Sequence, residues 1–438
     1  MIELIFSTGK WGFTSEIMRG DRMEDVDILD TVFQKFVTNA RIFKDREVLR
    51  HDYLPNRLPH REEQIRQFGE TVAPVLKGAR SSNVLIYGKT GTGKTAVTKY
   101  VLTHLEVKAK EFNAPARFCY INCRMAGSEY RVFAVLCQSV GINVPFTGLS
   151  VGEVFDRFKT GLDTSRIMLI IVLDEVDTLI KVHGDGVLYE LTRINETLSN
   201  SKVSIVGISN DLRLKEYLDP RVLSSLSEEE IVFKPYDASE LRNVLFERSK
   251  LAFFEGTLSD AALSLCAALA AAEHGDARRA LDLLRVAGEI AERQGATVVT
   301  EEHVREAEKS IEHNRVVETL KNLTLHSKLV ILSVYHLTKA DVQRAITGEI
   351  YDVYSELCGE LGLAPLTQRR LGTLVSELDS MGLVNAKIVS MGRYGRTKKI
   401  RLEIARSSIR DVFANDGRLG RLVEYEAKCL SKHASSRS

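Results

Sequence analysis

The chain has 438 residues, 44% of them hydrophobic and 27% charged, which is ordinary for a soluble globular protein of roughly two to four domains. Its formal net charge is +1, so any surface for nucleic acid has to be local. Six scattered cysteines without a C-x-x-C pair predict free thiols in a reducing compartment, and no apolar run approaches the ~18 residues of a membrane span. We therefore expect a cytoplasmic protein with no membrane partner.

The predicted elements begin with an N-terminal extension and helix over residues 1–50, and an α/β region over 51–235 follows. Strands are predicted over 83–87, 117–122, 167–173 and 203–209, and helices over 62–76, 96–111, 130–140, 152–162 and 186–197. Such alternation is typical of a parallel sheet with helices on both faces, so the predicted fold class is α/β.

The character of the sequence changes after Pro235. Residues 236–315 are alanine-rich and helical, without a predicted strand, and would form a helical lid. The next region, 316–405, contains helices and then two alternating runs around a glycine-containing turn. Helices followed by such a hairpin predict a winged helix-turn-helix domain, and a C-terminal helix and tail occupy 406–438.

Eight residues after the first predicted strand fit the phosphate-loop pattern G-x-x-x-x-G-K-[ST]: Gly88, Lys89, Thr90, Gly91, Thr92, Gly93, Lys94 and Thr95. The strand before them and the helix after them are the context that the motif requires. The glycines let backbone N–H groups point at phosphate oxygens, and the helix N-terminus favours negative charge. We expect Lys94 to bind the β- and γ-phosphates of ATP and the Thr95 hydroxyl to hold Mg²⁺. The alternative is a glycine-rich turn that binds nothing.

Two carboxylates follow the apolar run 167–173, which has the pattern of a strand buried on both faces. Asp174 and Glu175 would be costly at the end of a buried strand unless they serve a site. Asp174 fits the acid that holds Mg²⁺, directly or through water, and Glu175 fits the residue that orients and polarises the attacking water. The alternative is a strand end capped by solvated acids.

Five further residues are candidates for the same site. Asn210 ends the strand that follows the acidic one, where its amide would lie near the γ-phosphate, although asparagine also favours turns. Arg221 would reach a γ-phosphate of its own or a neighbouring chain, and Arg278 would lie over the phosphates if the lid closes. Tyr236 would stack on adenine at the hinge, and Arg248 would meet the nucleotide from the lid. The alternatives for Arg221, Tyr236 and Arg248 are ordinary surface or core positions.

The C-terminal region concentrates positive charge. Residues 385–401 contain six basic residues and no acid, and the side chains placed for DNA on this hairpin are Arg393, Tyr394, Arg396 and Lys398. The preceding predicted helix starts with donors suited to phosphates and base edges, namely Thr367, Gln368, Arg369 and Arg370. We expect this domain to bind double-stranded DNA, and a protein-binding winged helix is the alternative.

The ordered set of motifs resembles archaeal DNA replication initiators of the origin recognition complex and helicase-loader type. The resemblance covers about residues 25–405 and rests on the motifs above together with Tyr53-Leu54-Pro55, the run 58–65, Leu173–Asp177, Ile208–Asn210, Leu218–Val222, Phe233–Tyr236 and Gly275–Arg278. It implies an AAA+ base, a helical lid, bound ATP or ADP, and sequence-specific binding to origin DNA. It also implies the replicative helicase, and other initiator subunits, as partners.

The resemblance also implies roles for single residues. Asn210 matches the first sensor and Arg278 the second, while Tyr236 and Arg248 match nucleotide contacts. The segment around residues 145–150 matches a helical insertion that touches DNA. Residues 1–22 match no part of the family's pattern, and Ser224-Ser225-Leu226 lacks the second arginine that follows the finger in some relatives, which counts against hydrolysis activated by a neighbour.

We therefore expect an ATP-dependent, nucleoid-associated initiator that binds origin DNA, helps to recruit or load the replicative helicase, and hydrolyses ATP slowly as a switch. The runner-up is a winged-helix AAA+ ATPase that acts in signalling or regulates transcription. A third class is a closed-ring remodelling ATPase, which should have aromatic pore loops, and the sequence has no convincing one.

Overall fold

The structure of the protein, a computed structural model, describes residues 42–145, 147–342, 344–390 and 396–429. The helix expected within 1–50 and the tail beyond 429 lie outside these ranges, apart from residues 42–50. Contacts divide the chain into two units, Met1–Ala307 and Glu308–Ser438. No helix in the described ranges is long and apolar enough to cross a membrane.

The first unit is built on a five-stranded parallel sheet. Its strands are β1 (Val84–Gly88), β2 (Ala116–Asn122), β3 (Met168–Asp174), β4 (Lys202–Ser209) and β5 (Glu229–Phe233). Their order across the sheet is β2-β3-β4-β1-β5, and each neighbouring pair is parallel. The parallel sheet is as predicted. The strand β5 was not predicted, because it is short, lies at the edge of the sheet and begins with two acidic residues, which interrupt the apolar pattern of a buried strand.

Helices cover both faces of this sheet. They are α1 (Glu62–Val72), α2 (Lys94–Glu111), α3 (Cys123–Ala126), α4 (Glu129–Ser139), α5 (Val151–Ser165), α6 (Val176–His183), α7 (Gly186–Arg193) and α8 (Pro220–Leu226). Alternate residues of β3 enter opposite cores, since Ile171 and Leu173 join one cluster while Ile170 and Val172 join the other. Burial on both faces explains why β3 reads as a continuous apolar run.

The lid of the first unit is helical, as expected. It consists of α9 (Ala238–Ala252), α10 (Asp260–Glu273), α11 (Ala277–Gln294) and the first part of α12 (Glu301–Asn322), in which the boundary between the units falls. A capping box starts α9, because the Asp237 side chain accepts from the Glu240 N–H at 2.8 Å and Glu240 accepts from the Asp237 N–H at 3.0 Å.

The second unit is a winged helix. It contains α13 (Leu325–Lys339), β6 (Ala345–Ile346), α14 (Thr347–Glu360), α15 (Gln368–Ser380), β7 (Val384–Ser390), β8 (Arg396–Leu402), α16 (Arg406–Ala414) and α17 (Gly420–Val423). The hairpin β7–β8 is antiparallel, and the two-residue β6, which was not predicted, extends it on the β8 side. Residues of α16 and α17 pack into the same apolar core as α13 to α15.

The segment before α1 is anchored on the lid through Phe43. The backbone of Phe43 forms an isolated antiparallel β-bridge with that of Phe253, and the centroids of the two rings lie 4.9 Å apart. The ring also occupies the space over Gly288 of α11, where an added Cβ would lie 2.3 Å from the ring. Only glycine at position 288 lets the ring approach this closely, so the path of the segment before α1 depends on this contact.

We predict that Gly288→Ala destabilises the first unit by about 1–3 kcal/mol, because the added methyl group overpacks the Phe43 contact. Calorimetric unfolding measures the change. The matched control is Gly69→Ala in α1, where an added Cβ meets nothing within 4 Å and the better helix propensity should stabilise by up to about 1 kcal/mol. Equal effects of the two substitutions would contradict the packing account.

Candidate functional site

Three site segments follow neighbouring strands at one edge of the sheet. The phosphate loop follows β1, Asp174 ends β3 and Asn210 follows β4. In the register, β1 pairs Tyr87 with Ser209, and β3 pairs Asp174 with Ile208. Because the strands are parallel, their carboxyl ends meet, and the three segments converge as the sequence predicted for adjacent strands.

Lys94 lies deep in the phosphate loop and is buried. Its Nζ donates to the carbonyl oxygens of Gly88 at 2.8 Å and Lys89 at 2.7 Å, so the loop curls around the ammonium group. Burial is the main cause that lowers the pKa of Lys94 to about 8, and the nearby Asp174 carboxylate opposes this shift. A buried cation whose partners are carbonyls is well suited to receive an anion.

The lid touches the phosphate loop through the start of α11. The Ala277 N–H donates to the Gly91 carbonyl at 3.1 Å, and the Asp276 side chain caps α11 by accepting from the Arg278 N–H at 2.8 Å. Gly91 has a φ of +70°, and an added Cβ would lie 1.7 Å from the Asp276 carboxylate. This contact brings the exposed Arg278 side chain to the cleft above the loop.

Three donors converge on the Asp174 carboxylate. The Thr95 hydroxyl donates to Oδ2 at 2.8 Å, the Tyr120 hydroxyl donates to the same oxygen at 2.5 Å, and the Glu175 N–H donates to Oδ1 at 2.9 Å. Burial, and then the hydrogen bond to Asp174, raise the pKa of Tyr120, so its phenol stays protonated and acts as the donor. Thr95 and Asp174, the two predicted Mg²⁺ ligands, are thus in direct contact.

Glu175 has a strained backbone, with a φ of +54° that non-glycine residues rarely adopt. Its carboxylate accepts from the Asn122 amide at 3.3 Å and faces the Arg124 guanidinium at 3.9 Å. Asn210 is half-buried at the same cleft, where its backbone N–H donates to the Asp177 carboxylate at 3.1 Å. Strained backbone of this kind is found preferentially at functional sites.

These groups line a cleft of about 380 Å³ between the base and the lid. Tyr236 is part of its wall, but one face of its ring is covered by Arg61, whose guanidinium carbon lies 3.7 Å from the ring centroid. Arg61 is buried and donates to the Thr92 carbonyl at 2.9 Å and the Lys234 carbonyl at 2.8 Å. It therefore ties the phosphate loop to the hinge.

Arg248 also lines the cleft, yet its guanidinium binds the backbone of the segment before α1. It donates to the Val48 carbonyl at 2.9 Å and the Tyr53 carbonyl at 3.0 Å and lies over the Tyr53 ring. Burial lowers its pKa to about 10. In this geometry Arg248 fixes the wall of the cleft through the backbone of residues 48–53.

Arg221 does not lie among the residues that line this cleft. Its exposed side chain donates to Asp219 at 3.1 Å, the residue that also caps α8. This arrangement does not support a contact between Arg221 and a nucleotide bound in the cleft of its own chain. The interpretation that remains from the sequence is a contact with a neighbouring chain.

In the second unit, the predicted DNA-contacting residues at the start of α15 form an exposed group. Thr367 is the N-cap and accepts from the Arg370 N–H at 3.4 Å, and all four residues are exposed: Thr367, Gln368, Arg369 and Arg370. On the hairpin, Lys398 turns towards α15 and donates to the Ser376 hydroxyl. Arg393 and Tyr394 lie outside the described residues, and so does the side chain of Arg396.

The predicted insertion at residues 145–150 is a loop between α4 and α5, of which Phe146 lies outside the described residues. The Tyr130 hydroxyl donates to the Pro145 carbonyl, and Ser150 caps α5. Helices lie on either side of this loop, since α4 ends at Ser139 and α5 begins at Val151. The φ of +102° at Gly148 is incompatible with a helix at that point.

Comparisons with known proteins agree with this architecture. Family models match residues 79–214 (AAA domain), 242–309 (Cdc6 AAA+ ATPase-type lid domain) and 318–412 (CDC6, C terminal winged helix domain). An ORC1-type DNA replication protein of Thermococcus kodakarensis is 52% identical over 90% of this chain and 95% of its own length. Another, from Archaeoglobus fulgidus, is 47% identical over 91% of this chain and 97% of its own.

The chain belongs to the family of archaeal ORC1-type DNA replication proteins. A solved structure of the Aeropyrum pernix ORC1 protein in complex with DNA is also similar. It has a TM-score of 0.78 and 49% identity, and covers 87% of this chain and 99% of that one. The predicted family and the predicted fold, an AAA+ parallel-sheet base, a helical lid and a winged helix, are therefore confirmed.

Sequence reasoning missed the contacts that Arg61 and Asp276 make with the phosphate loop and the contact of Tyr120 with Asp174. Asp276 had a local signal, since an aspartate before an alanine-rich helix is a common N-cap. Tyr120 shares a strand face with Asn122, but its hydroxyl meets a residue 54 positions away. Arg61 was part of the recognised motif, although nothing in the sequence indicated which carbonyls it binds.

We predict that Arg61→Met destabilises the first unit by about 2–4 kcal/mol, because the carbonyls of Thr92 and Lys234 lose their donor in a buried setting. Arg66→Met is the matched control: Arg66 is exposed and pairs with Glu63 and Glu70, and its loss should change stability by no more than about 0.5 kcal/mol. Urea unfolding compares the two variants, and similar midpoints would rule out the bridging role of Arg61.

Proposed function

We propose that the protein is an ATP-controlled replication initiator that binds origin DNA sequence-specifically and helps to recruit or load the replicative helicase. The observation that carries this proposal is the joint presence of a phosphate loop, paired acids and a lid arginine around one cleft, in a chain of the ORC1-type family with an exposed basic winged helix. The relatives at about half identity are named DNA replication proteins, which favours initiation over the signalling or transcription-regulating alternative.

The cleft suits ATP or ADP with Mg²⁺. Lys94 would bind the β- and γ-phosphate oxygens, exchanging its loop carbonyl partners for anionic ones. Thr95 and Asp174 would hold Mg²⁺, since their oxygens already lie within one hydrogen bond of each other. When bound, Mg²⁺ neutralises charge on the phosphates. Glu175 would orient and polarise the attacking water from its position next to Asp174.

We propose that nucleotide state is communicated through the lid. Asp276 is the N-cap of α11 and Arg278 follows two residues later, and the N–H of Ala277 between them donates to the Gly91 carbonyl of the phosphate loop. Arg278 and Asn210 would sense the γ-phosphate from opposite sides of the cleft. A lid resting on the loop would also slow release of ADP, which supports a slow ATPase that acts as a switch.

The DNA contact is proposed for the winged helix. The Aeropyrum pernix ORC1 protein, 49% identical, was solved in complex with DNA. In this chain the exposed N-terminus of α15 offers Arg369 and Arg370, and the hairpin sequence adds Arg393 and Arg396. These side chains suit phosphates and base edges. The loop at residues 145–150 would supply a second contact from the ATPase base.

Other expectations rest on the family alone. A role in helicase loading, association with the nucleoid and contact with other initiator subunits follow from the resemblance. Exposed Arg221, which is not among the residues that line its own cleft, would serve such a neighbouring subunit.

Two substitutions test the nucleotide site. Lys94→Ala should weaken ATP binding by roughly 100-fold, because it removes the buried cation that faces the phosphates. Glu175→Gln should bind ATP normally but lose hydrolysis by roughly 100-fold or more, since an amide polarises water poorly. Calorimetry and single-turnover hydrolysis measure these effects, with the exposed Lys108→Ala on α2 as control. Full hydrolysis by the Glu175→Gln protein would mean that another group positions the water.

A double substitution, Arg369→Ala with Arg370→Ala, tests the DNA proposal. We expect weaker binding to origin repeats identified by footprinting on the organism's own chromosome, and a slope of log affinity against log salt that is reduced by about 2. Arg410→Ala on α16, an equally exposed arginine of the same unit, is the control. If the salt slope of the double variant equals that of the parent, α15 does not contact DNA. Footprints at promoters rather than origins would favour the regulatory alternative.

A further inference from the structure

Tyr120 is a polar residue of the site to which the proposed reaction gives no role. It lies on β2 opposite Val172 of β3, and two residues later Asn122 lies opposite Asp174. Tyr120 and Asn122 share one face of the strand, so both side chains reach the acidic pair. Asn122 meets Glu175, while the Tyr120 hydroxyl donates to Asp174 Oδ2 at 2.5 Å.

We propose that Tyr120 is a positioning residue for the divalent cation, which it serves by fixing the Asp174 carboxylate. This inference rests on the proposed nucleotide function. Tyr120 does not touch the cation itself. Its hydroxyl uses one lone pair of Oδ2. The other lone pair accepts from Thr95 in this structure and becomes open to the metal or a metal-bound water when Thr95 turns its oxygen to the cation.

The geometry around Asp174 explains why a second hydroxyl is needed there. The Glu175 N–H holds Oδ1, and the Thr95 hydroxyl also donates to Oδ2. Thr95 is itself expected to turn its oxygen towards the cation, which weakens its hold on the carboxylate. Tyr120 then keeps Oδ2 oriented, because it lies on β2, which pairs directly with the strand that ends in Asp174. Ligating carboxylates with such outer partners bind metal more tightly.

The ring of Tyr120 is held independently of any nucleotide. It packs against the apolar core between the sheet and α1 and α2. Lys99, one helical turn after Thr95 on α2, places its ammonium 4.6 Å from the ring centroid. The helix that carries a predicted metal ligand thus also contacts the tyrosine ring.

The test is Tyr120→Phe in the full chain, which removes only the hydroxyl. Each protein is saturated with ADP, Mn²⁺ is titrated in, and free Mn²⁺ is read from its electron paramagnetic resonance signal. We expect Mn²⁺ affinity to fall by about 10-fold, the lower end for loss of an outer partner of a ligand. ADP affinity in EDTA should equal that of the parent, which also shows that the variant is folded.

Tyr87→Phe is the matched control. Its hydroxyl also donates to a carboxylate, Glu230, at 2.8 Å, and it lies on the same sheet but does not line the cleft. It should leave Mn²⁺ affinity unchanged. Mn²⁺ affinity equal in the parent and the Tyr120→Phe protein would overturn the proposal, and so would tighter binding, which would mean that the phenol competes with the metal.

The remaining outcomes distinguish a failure of this proposal from a failure of the proposed nucleotide function. A matching loss of ADP affinity in EDTA would assign Tyr120 to the architecture of the loop and overturn its role towards the metal. If the parent itself bound no ADP, or bound it as well after Lys94→Ala, the nucleotide function would be wrong, and the role of Tyr120 with it.

Discussion

The parallel pairing of β3, β4 and β1 is the constraint on which the rest of the site depends. Parallel neighbours end at the same edge, so residues that are distant along the chain arrive together without any local signal between them. Asp174 and Ile208 are opposite each other in the register, as are Tyr87 and Ser209. A slip of one residue in β3 would turn Asp174 towards the other face and bury a carboxylate without its donors.

The phosphate loop has little regular structure of its own, and its shape is maintained from several directions. Lys94 holds two of its carbonyls from inside, Arg61 holds the Thr92 carbonyl from the hinge side, and α11 contacts Gly91 from the lid. Because Arg61 also binds the Lys234 carbonyl, the loop and the hinge share one buried cation. The lid, the hinge and the phosphate loop are therefore joined by direct hydrogen bonds.

The second unit has its own apolar core, and the described residues predicted to contact DNA lie outside that core. Leu371, Leu374 and Leu378 of α15 face inward, which leaves Arg369 and Arg370 on the solvent side. The hairpin is attached to this helix by Lys398, whose side chain donates to Ser376. One basic residue of the hairpin thus contacts α15, whereas the sequence offered no way to separate it from its neighbours.

The sequence by itself determined the features that short-range patterns encode. The phosphate loop, the continuous apolar run of β3, the helical lid and the basic hairpin were all recognisable, because spacing along the chain dictates them. The tertiary structure decided what long-range contacts create: the short strands β5 and β6, the commitment of Arg248 to the Val48 and Tyr53 carbonyls, and the meeting of Tyr120 with Asp174. Local sequence carries no record of which buried donor will meet which acceptor, since only packing of the complete sheet and lid brings them within hydrogen-bond distance.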